Sequence, residues 1–189
     1  MKKILFLLFL AQATVFAQQK FEREYRVEVH KVPEASQQVI KMWGFKEKIK
    51  WYVEESQDGK TFEAKVCHQK KKHSIEFSDK GAIIDVEIKI DFSELEKDIQ
   101  ANINKTLSEK FRKFKIKKTQ IQYTGSESAM YKAVFQLATE QETLTPKYEL
   151  IVKGKVKKSY VKYELLFDGN GTIVKELQFA PQNTDNLEF

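Results

Sequence analysis

The fold is decided by the stretch Ser159-Tyr-Val-Lys-Tyr-Glu-Leu-Leu-Phe-Asp-Gly-Asn-Gly-Thr-Ile-Val-Lys-Glu-Leu-Gln-Phe179. Apolar side chains alternate with polar ones on both sides of the Asp168-Gly-Asn-Gly171 turn, and this pattern predicts a β-hairpin. A shorter version runs from His73 to Ile90 around Asp79-Lys80-Gly81. The two stretches indicate that one structural module is used twice.

The first 17 residues have the pattern of a secretory signal. Two lysines precede the apolar run from Ile4 to Ala11, and Val15-Phe16-Ala17 provides a small-residue cleavage site. The alternative is a membrane anchor, but the apolar run is too short to span a bilayer comfortably. We therefore expect cleavage after Ala17 and a periplasmic or secreted chain without a membrane span.

Composition favours a packed and mildly basic chain. The 189 residues carry a formal charge of +6 and include only three Pro and seven Gly, which argues against a linker-rich protein. Cys67 is the single cysteine, so the chain forms no internal disulfide. We expect Cys67 to be half-buried in a strand, and the sequence leaves open whether its thiol is free or pairs between chains.

The first half reads as a strand, a helix and four further strands. Alternation over Phe21–His30 predicts the leading strand, and Val32-Pro33-Glu34 opens a short helix that ends at Gly44. Period-two patterns follow around Trp51 and Phe62, separated by a turn at Gln57-Asp58-Gly59-Lys60. The hairpin of residues 74–90 completes this half.

The second half begins with the pattern of a capping box, with Ser93 as N-cap and Glu96 three residues later. Apolar residues at intervals of four predict a helix that runs to about Phe111. Strands are predicted at Lys115–Tyr123 and Ala129–Leu137, with an additional or lengthened strand at residues 146–152 that turns at Gly154. The closing hairpin follows.

These elements predict an α+β protein in which two tandem helix-plus-antiparallel-strand repeats form one antiparallel sheet with helices packed on one face. The expected division is a signal peptide at 1–17, a first repeat with its leading strand at 18–91, a second repeat with an extra strand segment at 92–181, and a tail at 182–189. The sheet face without helices would be a surface for binding.

The same residues carry a resemblance to a known family. Val32-Pro33-Glu34-Ala35, Ile49-Lys-Trp51, Ile75-Glu-Phe77-Ser-Asp79-Lys-Gly81 and Leu165-Leu-Phe167-Asp168-Gly-Asn-Gly171 resemble motifs of the PepSY-like family of exported bacterial proteins, which is related in fold to the β-lactamase inhibitor protein. The resemblance covers residues 22 to 181. It implies a tandem α-β unit, an envelope location, no catalysis and a role in binding or inhibiting another protein. The family favours a Pro at the start of the second helix, where this chain has Leu95-Glu96.

Three patterns could indicate chemistry, and each has a simpler interpretation. Cys67 and His68 are adjacent, so in a strand they point to opposite faces and form no catalytic dyad. Cys67, His68 and His73 provide too few ligands for a zinc site. The twelfth position of an EF-hand begun at Asp168 falls on Phe179 instead of Glu, so turn chemistry explains that stretch. We expect no catalytic residues, no metal and no cofactor.

Two sets of side chains are candidates for contacting a partner. Export argues against nucleic acid, so a basic stretch would face an acidic partner surface or serve as the solvated side of a helix and strand. The basic set comprises Lys110, Arg112, Lys113, Lys115, Lys117 and Lys118. Exposed Trp and Tyr are enriched at binding hot spots, although aromatic residues are also common in strands. The aromatic set comprises Trp51, Tyr52, Tyr123, Tyr131, Tyr148, Tyr160 and Tyr163.

The leading hypothesis is an exported, non-enzymatic module that binds an unidentified envelope or extracellular protein through the open sheet face. The alternative is an envelope protein that binds a small ligand or lipid in a cavity between helices and sheet. An enzyme ranks last because no nucleophile, base and orienting group stand together in the sequence. The sequence does not indicate an oligomeric state.

Overall fold

The computed structural model describes residues 18–137 and 144–180. The predicted signal peptide and C-terminal tail lie outside the described residues. Within the described ranges, no helix is long and apolar enough to cross a membrane.

One ten-stranded sheet runs through the protein. Its strands are β1 (Gln18–Lys20), β2 (Glu22–Val27), β3 (Lys50–Ser56), β4 (Gly59–His68), β5 (Lys71–Ser78), β6 (Ile83–Ile90), β7 (Phe114–Tyr123), β8 (Lys147–Val156), β9 (Ser159–Phe167) and β10 (Ile173–Phe179). Their spatial order is β1-β10-β9-β8-β7-β6-β5-β4-β3-β2. The nine strands from β2 to β10 pair antiparallel, and the short β1 pairs parallel with β10.

The predicted hairpin of residues 159–179 is confirmed as β9 and β10. Asp168 Oδ1 closes its turn by accepting hydrogen bonds of 2.9 Å from the backbone N–H groups of Asn170 and Thr172. This Asx-type bonding explains the Asp without a metal ion. The earlier hairpin is confirmed as β5 and β6.

In the described ranges, three α-helices pack against the sheet. The first, α1, spans Glu34–Trp43 and ends at Gly44 in the left-handed conformation, as its sequence predicts. The second, α2, spans Lys97–Lys110 and buries Ile103 and Leu107, which lie four residues apart on one face.

The predicted capping box is two residues too late. The box is formed by Asp91 and Glu94 at the start of a short 3₁₀ helix, Phe92–Glu94, while α2 itself begins after Glu96. Both Asp91 and Ser93 are good capping residues followed by Glu at the third position, so spacing alone does not separate them.

The predicted strand at Ala129–Leu137 is wrong, because all but the last two of these residues belong to a third helix, α3, over Glu127–Phe135. The Ser126 hydroxyl caps α3 by accepting a hydrogen bond of 3.2 Å from the backbone N–H of Ala129. Met130 and Val134 are buried four residues apart, which is helical spacing. The strand that follows β7 in the sheet is β8, which continues past Gly154 to Val156 instead of turning there.

The leading strand is shorter than predicted. β2 stops at Val27, and Val29–Lys31 form a 3₁₀ turn that leads toward α1. β2 lies at the outer edge of the sheet, and five of its six residues are exposed. Its alternation therefore reflects pairing with β3 and not burial of one side.

A single hydrophobic core lies between the three helices and one face of the sheet. Ile75 and Phe77 on β5, Leu150 on β8 and Leu165 on β9 are fully buried beneath the helices. Full burial of side chains of this size stabilises the fold by about 1.5–3 kcal/mol each. The helices thus cover one face of the sheet, and the described part of the chain leaves the other uncovered.

Candidate functional site

The pairing register assigns each strand residue to one of the two faces. Trp51 lies opposite Ala64 on the helix side, while the next residue, Tyr52, lies opposite Glu63 on the uncovered side. We call the uncovered side the open face. Its strand residues include Tyr52, Glu63, Lys65, Glu76, Asp85, Glu87, Lys89, Lys118, Gln120, Gln122, Glu149, Lys153, Tyr160, Lys162 and Glu164.

Five carboxyl groups from four strands gather near the centre of the open face. We call this group the carboxyl cluster, and it comprises Glu63, Glu76, Asp85, Glu87 and Glu149. Two amides on β7 reach into it: Gln122 Nε2 donates to Asp85 Oδ2 over 2.9 Å, and Gln120 Nε2 donates to Glu87 Oε2. The cluster is therefore held in place by neighbouring strands.

Two members of the carboxyl cluster, Asp85 and Glu87, have raised pKa values. Burial raises the pKa of Asp85 to about 8, and the nearby carboxyls of Glu76, Glu149 and Glu63 add to the effect. Burial also raises the pKa of Glu87 well above its usual range, with further contributions from Glu149 and Asp85. Both effects follow from the cost of placing a negative charge in a poorly solvated site beside like charges.

Among the described residues, lysines lie beside two members of the cluster, Glu63 and Glu149. Lys65 Nζ lies 2.8 Å from Glu24 and 3.0 Å from Glu63, and Lys118 Nζ lies 3.7 Å from Glu149. These ion pairs are partly exposed and contribute little to stability. The centre of the open face thus carries carboxyl groups of raised pKa, which a cationic group could ionise.

The far end of the open face is basic. Lys115 on β7 pairs with Lys153 on β8, which in turn pairs with Lys162 on β9. The half-exposed ring of Tyr160 lies 5.7 Å from the Lys153 ammonium and 5.9 Å from that of Lys155. We call this group the lysine row, and it presents an aromatic side chain among like charges.

The structure places the seven predicted aromatic residues in different environments. Only Tyr52 and Tyr160 lie on the open face. Trp51, Tyr148 and Tyr163 are buried in the core beneath the helices, and Tyr123 is half-buried on the same side.

The seventh, Tyr131, lies on α3 and not on a strand, where its ring packs against Trp43 and Phe135. Five of the seven aromatic residues therefore contribute to packing in the folded chain. The sequence could not separate them from the other two, because a period-two pattern does not tell which side of a sheet the helices cover. Partner contact stays a prediction for Tyr52 and Tyr160.

The predicted basic stretch is also divided. Lys110 on α2 forms an ion pair of 2.6 Å with Glu176, and Lys118 joins the margin of the carboxyl cluster. Arg112, Lys113, Lys115 and Lys117 are exposed. Of this stretch, only Lys115 belongs to the lysine row. The other lysines of the row come from β8 and β9, which lie far from Lys115 in sequence.

Cys67 is exposed on the open face, not half-buried as predicted. It is the last residue but one of β4. His68 points to the opposite, helix-side face and packs against Phe45 and Phe135. The expected opposite orientation of the two side chains is confirmed, and no thiol–imidazole dyad forms.

Two histidines share a cavity of about 230 Å³ between α3 and the sheet. His68 Nδ1 lies 2.9 Å from Glu47 Oε1, and His73 Nδ1 lies 3.0 Å from the Lys71 carbonyl oxygen. The two rings are 5.8 Å apart between centroids. The Nε2 atom of His68 is buried and has no hydrogen-bond partner in the described structure.

A larger and more open groove of about 590 Å³ lies along the outer side of α1, toward β3. Among the residues that the structure describes, no three His, Cys, Asp or Glu side chains converge in a way that could hold a metal ion.

At the level of sequence, the chain matches no protein-family model and no curated protein. The resemblance to the PepSY-like family is accordingly not supported by a family match. Similarity appears at the level of structure, with proteins from three Bacteroides species.

A DUF2874 family protein from Bacteroides ovatus is 13% identical and has a TM-score of 0.51, with 78% of this chain and 87% of that chain covered. A Bacteroides eggerthii protein assigned provisionally to the periplasm is 14% identical, with a TM-score of 0.53 and coverage of 78% and 88%. A BLIP-like protein from Bacteroides fragilis is 14% identical, with a TM-score of 0.50 and coverage of 84% and 92%.

The chain has a BLIP-like fold. At these identities the likeness concerns the arrangement of helices and strands, and function does not follow from fold alone. The relation in fold that the sequence resemblance implied is thus supported, while membership of the PepSY-like family is not.

Sequence reasoning missed the carboxyl cluster. In the stretch Asp85-Val86-Glu87-Ile88-Lys89-Ile90, charges alternate with apolar residues, which normally indicates a solvated outer face. The unusual environment arises because carboxyls from β4, β5 and β8 come beside those of β6. Only the strand order brings these side chains together.

Proposed function

We propose that this chain is an exported, non-enzymatic binding module that holds another protein on its open face. The observation that carries the proposal is the open face itself, a broad sheet surface that no described helix covers and that has an acidic centre and a basic end. A partner with the complementary charge pattern would be recognised by position as well as by sign.

The carboxyl cluster supports a binding role for the centre of this face. Burial raises the pKa of Asp85 to about 8, and the neighbouring carboxyls of Glu76, Glu149 and Glu63 add to the effect. A partner Lys or Arg placed beside Asp85 would favour the ionised form and gain a charge-assisted hydrogen bond. Buried carboxyl groups of raised pKa contribute little to the stability of an isolated protein, so their placement favours a role in recognition.

The lysine row supports contact with acidic groups at the other end. Tyr160 is half-exposed between two lysines, and Tyr is among the residue types enriched at binding hot spots. Acidic side chains of a partner would neutralise the row and would also cover the Tyr160 ring. The predicted contact with an acidic partner surface is thus kept. Its centre now lies on the lysines of β8 and β9 instead of on the basic stretch predicted from sequence.

Duplication of one unit would account for the length of the face. In each half, a helix precedes four strands that are consecutive in the sheet: α1 before β3–β6 and α2 before β7–β10, with α3 inserted after β7. Gly81 and Gly171 close the matching turns, and each approaches the helix of its own half. On this proposal the repeats are 18–91 and 92–181.

The export part of the proposal rests on the signal pattern of residues 1–17 and on the Bacteroides eggerthii neighbour. A chain without residues 1–17 is therefore the form to study. Its N-terminal sequence in cell fractions tests the cleavage after Ala17.

Capture experiments with paired variants test the binding role. The mature chain, a Tyr160→Ala/Lys162→Glu variant and a Met42→Ser control would each be incubated with an envelope extract of the encoding organism. Met42 is 69% exposed on α1, on the far side of the sheet. We expect one protein to be retained by wild type and control and lost with the open-face variant. Equal retention by all three, or by none, would refute the proposal.

A small-ligand function is the second candidate, because the 230 Å³ cavity lies between a helix and the sheet, where that alternative requires one. Native mass spectrometry of the purified chain tests it directly. A co-purified small molecule, together with no retained protein, would favour this candidate over the first.

A further inference from the structure

The two ends of the sheet are joined by one short segment of the chain. In the strand order, β1 and β2 lie at opposite ends, yet only Phe21 separates them in sequence. Residues 18–27 therefore pair with β10 through β1 and with β3 through β2. We call these residues the clasp, because they close the sheet into a ring.

This closure requires a strongly curved sheet. Ten strands side by side in a flat sheet would span about 43 Å, since neighbouring strands lie about 4.8 Å apart. The register pairs Phe179 with Lys20 and Ser56 with Glu22. The Cα atoms of Phe179 and Ser56 can then lie no more than about 18 Å apart, because only two strand pairings and two peptide links separate them.

Two contacts of the turn between β3 and β4 hold the ends together. The backbone N–H of Phe21 donates a hydrogen bond of 3.0 Å to Gln57 Oε1. Lys175 Nζ on β10 lies 3.6 Å from Asp58 Oδ2 in the same turn. Because Lys175 and Asp58 come from opposite ends of the strand order, their ion pair supports the ring independently of the clasp.

The open face lies on the inside of the ring. An eleven-stranded can holds one central helix, so a ring of ten strands has no room for three, and the helices lie outside. Ile151 and Leu177 both pair with Glu164 on the side away from the helices, and neither belongs to the helix-side core. They are nevertheless only 8% and 3% exposed. Since no described helix covers them, the curvature of the sheet excludes solvent from the centre of the open face.

The clasp is held unequally at its two ends. β2 spans six residues, and side chains strengthen its pairing: Tyr25 Oη donates a hydrogen bond of 2.9 Å to Glu55, and Lys65 Nζ lies 2.8 Å from Glu24. β1 spans only three residues. Short terminal pairings open at a smaller free-energy cost than the core of a sheet. The exposed residue Phe21 between the two strands is then the hinge.

We propose that the clasp controls access to the open face. β1 detaches from β10 about Phe21 while β2 stays paired with β3, and the ring then widens and exposes the centre of the face. This deepens the proposed function, on which its biological use rests, because a partner would reach the carboxyl cluster in the opened ring. The opening itself belongs to this chain alone, so it can be tested without a partner.

Thiol labelling at two adjacent positions measures the opening. In mature chains with Cys67→Ser, Ile151→Cys places a thiol on the open face, and Leu150→Cys places one in the core beneath the helices. We expect Ile151→Cys to be labelled about tenfold or more faster than Leu150→Cys, because labelling in the core requires unfolding of the whole chain. Both positions should react more slowly than in the same chains unfolded by urea.

Removal of residues 18–20 should take away the protection of the open face. We expect about tenfold faster labelling of Ile151→Cys in a chain that begins at Phe21, and less than about threefold change at Leu150→Cys. If this shortened chain fails to fold, as judged by thermal unfolding, Lys175→Glu replaces it by opposing Asp58 with a like charge. The open-face rate should then rise about twofold or more, and Asp58→Lys in the same chain should restore it.

Faster labelling of the open face that depends on the clasp supports the proposal. It is overturned if the two positions are labelled at one rate, or if the clasp variant changes both rates equally or neither. It is also overturned if Ile151→Cys reacts as fast as in the unfolded chain, since the face would then be accessible without any opening. A clasp that opens in a chain that captures no partner would refute the proposed function alone, so the two failures are distinguishable.

Discussion

The ring of Phe111 occupies the space that a side chain on Gly154 would need. Phe111 ends α2 and is 3% exposed, and its ring also packs 5.1 Å from that of Tyr163. Gly154 lies within β8, where its missing side chain lets the helix end approach the sheet. The glycine that the sequence suggested as a turn is therefore a contact point between helix and strand.

Gly154→Ala should lower the free energy of unfolding by about 1–3 kcal/mol, because the added methyl group overlaps the Phe111 ring. Urea denaturation measures this change. Phe111→Leu should cost stability in the wild-type background but less when Gly154 is already Ala. Additive effects of the two substitutions would contradict direct contact.

Gly81→Ala and Gly171→Ala should each destabilise the chain by more than about 1 kcal/mol. Both glycines have positive φ, of +86° and +81°, and a Cβ would lie 2.9 Å from Ala35 Cβ or Asn102 Cβ. Gly59→Ala is the control, because Gly59 also has positive φ but no atom within 4 Å of the added Cβ. If all three variants lose the same stability, backbone strain alone explains the effect.

Asp85→Asn should stabilise the chain at about pH 8 by more than about 1 kcal/mol and have little effect near pH 4. The folded-state pKa of Asp85 lies above its ordinary value of 3.8, so the folded state binds more protons than the unfolded state between these limits. Stability from this group is therefore present at low pH and lost as pH rises toward 8.

Denaturation curves between pH 4 and 8 would measure the difference. Glu109→Gln is the matched control, because it removes one carboxyl from the exposed side of α2. An Asp85→Asn chain with the same pH dependence as wild type would refute the assignment.

His73 should titrate below its ordinary pKa of 6.5, because burial disfavours the charged ring. The hydrogen bond to the Lys71 carbonyl oxygen and the charge of Glu47 oppose this shift in pKa, while the charges of His68 and Lys71 add to it. Protonation is then easier in the unfolded chain. The stability that this group contributes is complete above pH 6.5 and is lost as pH falls through the folded-state value. NMR titration of the imidazole signal gives the midpoint, and a value above 6.5 would contradict the buried position.

The hairpins and two of the helices could be predicted from sequence because their signals are local. Turn residues at Asp168–Gly171 and intervals of four around Ile103 determine their elements without knowledge of the rest of the chain. The stretch from Ala129 to Phe135 could not be assigned in the same way, since its nearly continuous apolar residues fit either period. Helix α3 is settled by the Ser126 cap and by burial of Met130 and Val134 against the sheet.

The candidate sites depend on contacts that are distant in sequence. The ring nitrogen of His68 is anchored by Glu47, 21 residues away, and Gln122 contacts Asp85 over 37 residues. Propensity and periodicity describe each strand separately and contain no information about strand order. That order decides which aromatic rings are covered by helices and which carboxyls lose solvent.

The exposed thiol of Cys67 makes the unmodified chain ready for optical and cross-linking work. It is the only cysteine in the sequence and belongs to the open face, where it pairs in register with Lys72. A maleimide dye or a photo-activated cross-linker would therefore attach at one defined point, on the side of the sheet opposite the histidine cavity. A label on Cys67 would therefore report directly on the surface that a partner would have to approach.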